Sequence, residues 1–364
     1  MRKRVFIFLW AVVCGLLVVP LVNMVLHPNL GGEKWRTKAF LYNLDFAAQW
    51  PNFVLYQLGI STHPKQVVIG RNGWLYLGDD YAQSRTVARN GQTAADLTIG
   101  KKIVEASQAW DAWLASKGVR VFRIMVGPNK ASIYPEHLPN WAMPATPSAT
   151  DALFADTGNE RFIDLRPHML ASKTQYPQAL YYKTDTHWNA LGAGLAFNAF
   201  AQSVGYSAPE LRWPSFEMSS MSPRGGGDLA KFLRIKQGLL DSEPSIKIIG
   251  STHTIETTQY DFDSTQIIQK GGNPQIGAKN SPILVISEGA LNAKKVLWLR
   301  DSFGNSLSPL MAATFSKTVQ LHWLEALKPR GRFAELVEKW KPDYVFITVV
   351  ERDSRSELFT LPPP

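Results

Sequence analysis

Leu297-Trp-Leu-Arg-Asp-Ser-Phe-Gly-Asn-Ser-Leu307 begins as an apolar run and breaks into small and polar residues at Asp301. It reads as a buried strand, a tight turn and the start of a helix, with Ser302 presented at the turn. Apolar runs of the same kind recur at residues 119–126, 162–165, 319–323 and 344–350. Helical spacing of apolar residues falls between some of them, at 93–117 (stopped by Gly118), 190–204 and 331–340. Short buried strands alternating with helices predict an α/β fold with a mostly parallel sheet covered on both faces. Residues 67–77 add two short strands around an Asn72-Gly73 hairpin turn. From about 207 to 289 Pro, Gly, Ser and Thr recur without a long helical pattern, so an irregular insertion with a few strands is expected there.

The N-terminus sets the compartment. Arg2, Lys3 and Arg4 precede an almost unbroken apolar stretch over residues 5–26. At about 1.5 Å per residue it crosses a hydrocarbon core of about 30 Å. No small-residue cleavage site follows it, which favours an uncleaved signal anchor over a signal peptide. The basic residues stay in the cytoplasm and the chain beyond is exported, to the periplasm of a bacterium. The division expected is therefore 1–27 cytoplasmic tip and anchor, 28–69 periplasmic neck, and 70–364 the folded domain. Cys14 is the one cysteine, so no intramolecular disulfide forms; it follows Val13 rather than a small residue, which makes it a membrane-buried thiol and not an acylation site. The net charge of +9, from 39 basic and 30 acidic residues, suits an anionic partner. Nucleic acid is disfavoured, because no helix carries a run of Lys and Arg and the domain is exported.

Ligands of open α/β sheets bind beyond the carboxyl ends of the strands. Ser302 stands at one such end, next to backbone N–H groups that stabilise an oxyanion. Tyr181-Tyr-Lys-Thr-Asp-Thr-His-Trp-Asn189 supplies Asp185 and His187 two residues apart before a helix. In extended backbone they point the same way, so Asp185 holds one ring nitrogen and leaves the other to take a proton from a serine. Asp185 as a helix cap, His187 as a buried core histidine and Asp301 or Ser302 as a cap are the structural alternatives. Gly127-Pro-Asn-Lys130 ends another strand, where Asn129 and Lys130 meet an anionic substrate or an oxyanion, or form only a polar turn. Asp79, Glu351 and Arg352 also lie near strand ends. A metal site is not expected, since the other six histidines are scattered and there is no second cysteine.

Gly70-Arg-Asn-Gly-Trp-Leu-Tyr-Leu77, Gly127-Pro-Asn-Lys130, Tyr182-Lys-Thr-Asp-Thr-His-Trp-Asn189 and Arg300-Asp-Ser-Phe-Gly-Asn-Ser306 occur in this order. Together they resemble the SGNH-hydrolase-like polysaccharide O-acetyltransferases, the alginate acetylation proteins of the AlgJ and AlgX type. The resemblance implies a catalytic triad of Ser302, His187 and Asp185, and a fold circularly permuted relative to SGNH hydrolases, whose serine block comes first. It offers Lys130, Asn129, Arg300, Asn305 and Arg352 as substrate or oxyanion residues. No cofactor is implied; acetyl comes from a membrane-bound O-acyltransferase partner and goes to an exopolysaccharide, alginate first and cellulose or another polymer as alternatives. Arg300-Asp301 replaces the Gly-Thr of the alginate proteins, and no carbohydrate-binding module is evident, which makes the chain more similar to the AlgJ type. An esterase with the same triad and a non-catalytic polysaccharide-binding scaffold are the rival functions.

Overall fold

The computed structural model describes residues 2–26, 37–155, 160–250, 254–277 and 281–364. The junction between the expected anchor and neck, residues 27–36, lies outside them. The chain opens with helices α1 (Arg2–Leu26), α2 (Lys38–Leu41) and α3 (Asp45–Gln57), then the hairpin β1 (Val67–Ile69) and β2 (Leu75–Leu77). Helices α4 (Ser84–Asn90) and α5 (Ala94–Ser116) lead to β3 (Val121–Gly127), α6 (Lys130–Ile133), β4 (Phe162–Asp164), α7 (Arg166–Gln175) and α8 (Ala190–Ser207). Next come β5 (Ser215–Gly225), α9 (Asp228–Phe232), β6 (Leu240–Ile249), β7 (Glu256–Asp261), β8 (Ile267–Lys270) and β9 (Ile283–Glu288). The chain closes through β10 (Asn292–Arg300), α10 (Ser308–Thr314), β11 (Phe315–His322), α11 (Trp323–Leu327), α12 (Phe333–Trp340) and β12 (Tyr344–Val350).

The main sheet has eight strands in the order β4-β3-β12-β10-β11-β9-β7-β8. The pairs from β4 to β11 are parallel, whereas β11–β9, β9–β7 and β7–β8 are antiparallel. The mostly parallel sheet expected from the sequence is thus a mixed one. The physical reason lies in the segment read as an irregular insertion: β8 folds back on β7 as a hairpin across residues 262–266, which forces antiparallel pairing, and β9 enters between β7 and β11 running against both.

Side chains of the parallel strands alternate between two cores. Val121, Met125, Val296, Trp298, Tyr344 and Phe346 face one side, against α7, α8 and α10. Phe122, Ile124, Leu297, Leu299, Val345 and Ile347 face the other, against α5, α11 and α12. With both faces covered, these strands have no polar side, which is why they read as continuous apolar runs. Thr93 caps α5, its side chain and that of Asp96 each accepting the other's backbone N–H. Parallel pairing of β3, β12 and β10 sets Val350 opposite Gly127 and Arg300 opposite Thr348. The loops beginning at Pro128, Asp301 and Glu351 therefore leave the sheet side by side.

Candidate active site

Asp301 shapes the turn that carries Ser302. Its buried carboxylate accepts from the N–H of Phe303 at 2.9 Å and from the N–H of Val350 at 2.7 Å, which pins the turn to the end of β12. Asp301→Ala leaves both donors unmet, each costing about 1–3 kcal/mol. A loss of roughly 2 kcal/mol or more in urea unfolding is expected.

Across from this turn lies the loop 181–189. Trp188, fully buried, donates through Nε1 to the carbonyl oxygen of Phe303 at 3.0 Å and packs edge-on against that ring. Asn189 caps α8 by accepting from Gly192 N–H at 3.0 Å. Between these fixed points His187 places Nε2 2.8 Å from Ser302 Oγ and Nδ1 2.7 Å from Asp185 Oδ1. Ser302, His187 and Asp185 thus form one hydrogen-bonded relay. Nδ1 carries the proton donated to Asp185, leaving Nε2 to accept from the serine hydroxyl. Burial pushes the Asp185 carboxyl up, but hydrogen bonds and charge from His187, with Arg224, outweigh it and hold it well below the usual carboxylate range.

A second layer, not identified from the sequence, comes from residues 224–241. Arg224 Nη2 lies 3.2 Å from Asp185 Oδ2, and Asp228 N–H donates to the same oxygen at 3.3 Å. Asp228 accepts from Thr186 N–H at 2.8 Å and from its hydroxyl, and stands 3.7 Å from His187 Nδ1. Burial and then the neighbouring Asp185 charge raise the Asp228 carboxyl. Asp241 accepts from the N–H and hydroxyl of Thr184, both at 2.8 Å. The only sequence signal for this layer is Gly225-Gly226-Gly227, whose lack of side chains lets the backbone approach. A Cβ on Gly227 would sit 2.5 Å from Asp185 Oδ2. It would come closer still to Cβ of Asp185 and sit 2.8 Å from its Cα, so Gly227→Ala displaces the buried loop itself. Since misplacement by 1 Å costs about 10²-fold, turnover is expected to fall by roughly that factor or more, with the melting temperature lowered as well.

The other residues singled out in the sequence divide. Asn129 and Arg352 meet beside the turn, Arg352 Nη1 lying 3.3 Å from Asn129 Oδ1 and its guanidinium 5.8 Å from the Phe303 ring. Lys130 does not face a substrate. It is buried, and Nζ donates to the carbonyl oxygens of Tyr182, Lys183 and Asp185 at 3.0, 2.9 and 2.7 Å. Arg300 is likewise structural: fully buried, it donates to Gln320 Oε1, Asn305 Oδ1 and the Pro274 and Asp301 carbonyls. Asn305 is held between Arg300 and Gln275. Asp79 accepts backbone N–H groups from Arg85 and Thr86, and Glu351 accepts from Asn129 N–H and Ser132. Among the described residues, Asp185, His187 and Asp228 offer oxygen and nitrogen atoms within 4.8 Å of one another. Those atoms are already engaged with each other and with Thr186.

A mixed α/β sheet with a serine, a histidine and an aspartate joined at its carboxyl edge is an arrangement that several folds share, and sequence comparison assigns this one to the SGNH-hydrolase-like class. The family model for the SGNH hydrolase-like domain of the acetyltransferase AlgX matches residues 67–276, and the chain belongs to that family. Ser302 lies beyond the matched residues, so its place in the site rests on geometry. The probable alginate O-acetylase AlgJ of Pseudomonas aeruginosa is 30% identical over 178 residues, which cover 46% of this chain and 41% of that protein. The match thus spans less than half of that relative's length. Among solved structures, PatB1 of Bacillus cereus with a sulfonyl adduct has a TM-score of 0.54 at 16% identity, covering 82% of this chain and all of that one. The O-acetyltransferase domain of Pseudomonas putida AlgJ has a TM-score of 0.50 at 18% identity, covering 80% and 92%. At these identities the structures share the fold.

Proposed function

We propose that this chain is a periplasmic O-acetyltransferase that moves acetyl through Ser302, His187 and Asp185 onto hydroxyls of an exported polysaccharide. The observation that carries the reading is the relay itself, 2.8 Å from Ser302 Oγ to His187 Nε2 and 2.7 Å from Nδ1 to Asp185. His187 takes the Ser302 proton as Oγ attacks the acetyl carbonyl of the donor, then returns that proton to the leaving group. A sugar hydroxyl next gives its proton to His187 and attacks the acetyl-serine, and Ser302 recovers its hydrogen as the ester departs. Asp185 holds the ring and stabilises its charged form throughout.

Family membership supports acetylation, and the name of the AlgJ relative makes alginate the favoured polymer, with cellulose or another exopolysaccharide as alternatives. No cofactor is needed; the donor is a membrane-bound O-acyltransferase partner. Helix α1, with 24 residues from Lys3 to Leu26 apolar enough to cross a bilayer, is the inner-membrane anchor. Residues 28–69 are read as the neck and 70–364 as the catalytic domain, with β1 joining the latter through its pairing with β2, and the fold is circularly permuted so that the Asp185-His187 block precedes Ser302. The reading is tested in cells: Ser302→Ala or His187→Ala abolishes acetylation of the polymer at normal protein level. Unchanged acetylation would favour the scaffold.

A further inference from the structure

We propose that α3 lies in the headgroup layer of the membrane, with Trp50, Val54 and Leu58 seated in lipid. The proposal rests on reading α1 as a membrane anchor and adds a second, lateral contact of the exported domain with the bilayer.

Helix α3 has two apolar faces, and among the described residues only one has a protein partner. On the inner face Phe53 and Tyr56 pack against the small core of Val67, Leu75, Leu229 and Leu233, and Asn52 Nδ2 donates to the Leu233 carbonyl at 3.0 Å. On the opposite face Trp50, Val54 and the capping Leu58 recur at helical spacing and are 78%, 42% and 68% exposed. Tyr42 and Leu44 before α3 and Ile60 after it are also more than half exposed. A helix apolar on both sides needs a second apolar medium.

The medium is set by where α3 starts. Asn23, in the last turn of α1, is buried, and its Nδ2 lies 3.0, 3.1 and 2.9 Å from the carbonyl oxygens of Phe40, Leu41 and Asn43. Residues 40–43 therefore stand level with the end of α1, which in a membrane-crossing helix is the headgroup region. Lipid is then what meets the outer face of α3, with Trp50 at the interface that tryptophan prefers. Charge agrees. Lys38 in α2 and Lys231 and Lys236, on the segment against which α3 packs, are exposed, so the elements around α3 offer positive charge to anionic headgroups. The arrangement also brings the catalytic loop near the membrane, because α9, whose first residue is Asp228, separates that loop from α3.

The test uses the full chain in nanodiscs of phosphatidylethanolamine and phosphatidylglycerol, one chain per disc. Cys14, the single native cysteine, carries a spin label that reports on α1. In a Cys14→Ser background, Val54→Cys, Leu58→Cys and Lys101→Cys carry labels singly, Lys101 being exposed on α5. Collision with oxygen, which concentrates in lipid, is compared with collision with a water-soluble nickel complex. Positions 54 and 58 are expected to show several-fold less nickel contact than 101 and more oxygen contact, with Cys14 protected. If 54 and 58 match 101 while Cys14 stays protected, the lipid contact is refuted and the anchor stands. Protection that appears only with two chains per disc overturns the proposal in favour of a second copy. A Cys14 label open to nickel removes the anchor and the proposal together.

Discussion

Ser302→Ala is expected to remove acetyl transfer, by roughly 10⁴-fold or more, and to leave the fold standing. Such losses follow when a triad acts as a unit. Stability should barely change, because among the described residues the hydroxyl makes one hydrogen bond, to His187 Nε2, and a bond of that kind is worth about 0.5–1.5 kcal/mol net. The turn itself is held by Asp301, through Phe303 and Val350. His187→Ala should match it, and the double variant should be no slower than either single one, since neither group works without the other. Rates of acetate transfer to an oligosaccharide, read beside melting temperatures, check this. Additive losses would mean that serine and histidine act separately.

Lys130→Met should show the opposite pattern, a large loss of stability with activity falling as a consequence. Met has nearly the same length and fills the same space, but it withdraws three donors from buried carbonyls of Tyr182, Lys183 and Asp185. An unmet buried acceptor costs about 1–3 kcal/mol, so about 3 kcal/mol or more is expected in urea unfolding. Burial pushes the Lys130 ammonium down to about 7, against the pull of Asp228, Asp185 and Asp241. Removing the cation also leaves those carboxylates without its charge. Nζ lies 5.6 Å from the Trp74 ring and 5.3 Å from the Tyr76 ring, so the β1–β2 hairpin bears on the catalytic loop through this lysine. A stable, inactive Lys130→Met protein would contradict this role and restore the substrate role read from the sequence.

That reversal shows where sequence reading stops. A lysine at the end of a buried strand, beyond Gly127-Pro-Asn, has the same signature whether its ammonium faces a ligand or the underside of a loop. Lys130 and Arg300 both look like site residues because strand ends carry sites, and both turn inward because loop carbonyls there need donors. The strands at 119–126, 296–299 and 344–350 were legible because burial on both faces leaves unbroken apolar runs. The Asp185-His187 pair was legible too, but not because extended backbone sets a common direction: residues 183–187 bend, and Asp185 Oδ1 meets both the backbone N–H and Nδ1 of His187 across that bend. β7 and β8 were not legible: they carry Thr, Gln and exposed side chains, with little apolar contrast to mark them, whereas β9 is an apolar run set within a segment rich in Pro, Gly and Ser. Asp228 and Asp241 stayed hidden because they act across 42 and 57 residues of sequence, with only a glycine run to announce the close approach.

The most direct measurement is the mass of Ser302 after the full-length protein meets a small activated acetyl ester, with Ser302→Ala and His187→Ala alongside. The account predicts an acetyl group on Ser302 that forms only with the triad intact and leaves faster to an oligosaccharide than to water. A folded protein that never acquires the adduct, or acquires it equally without His187, would contradict it.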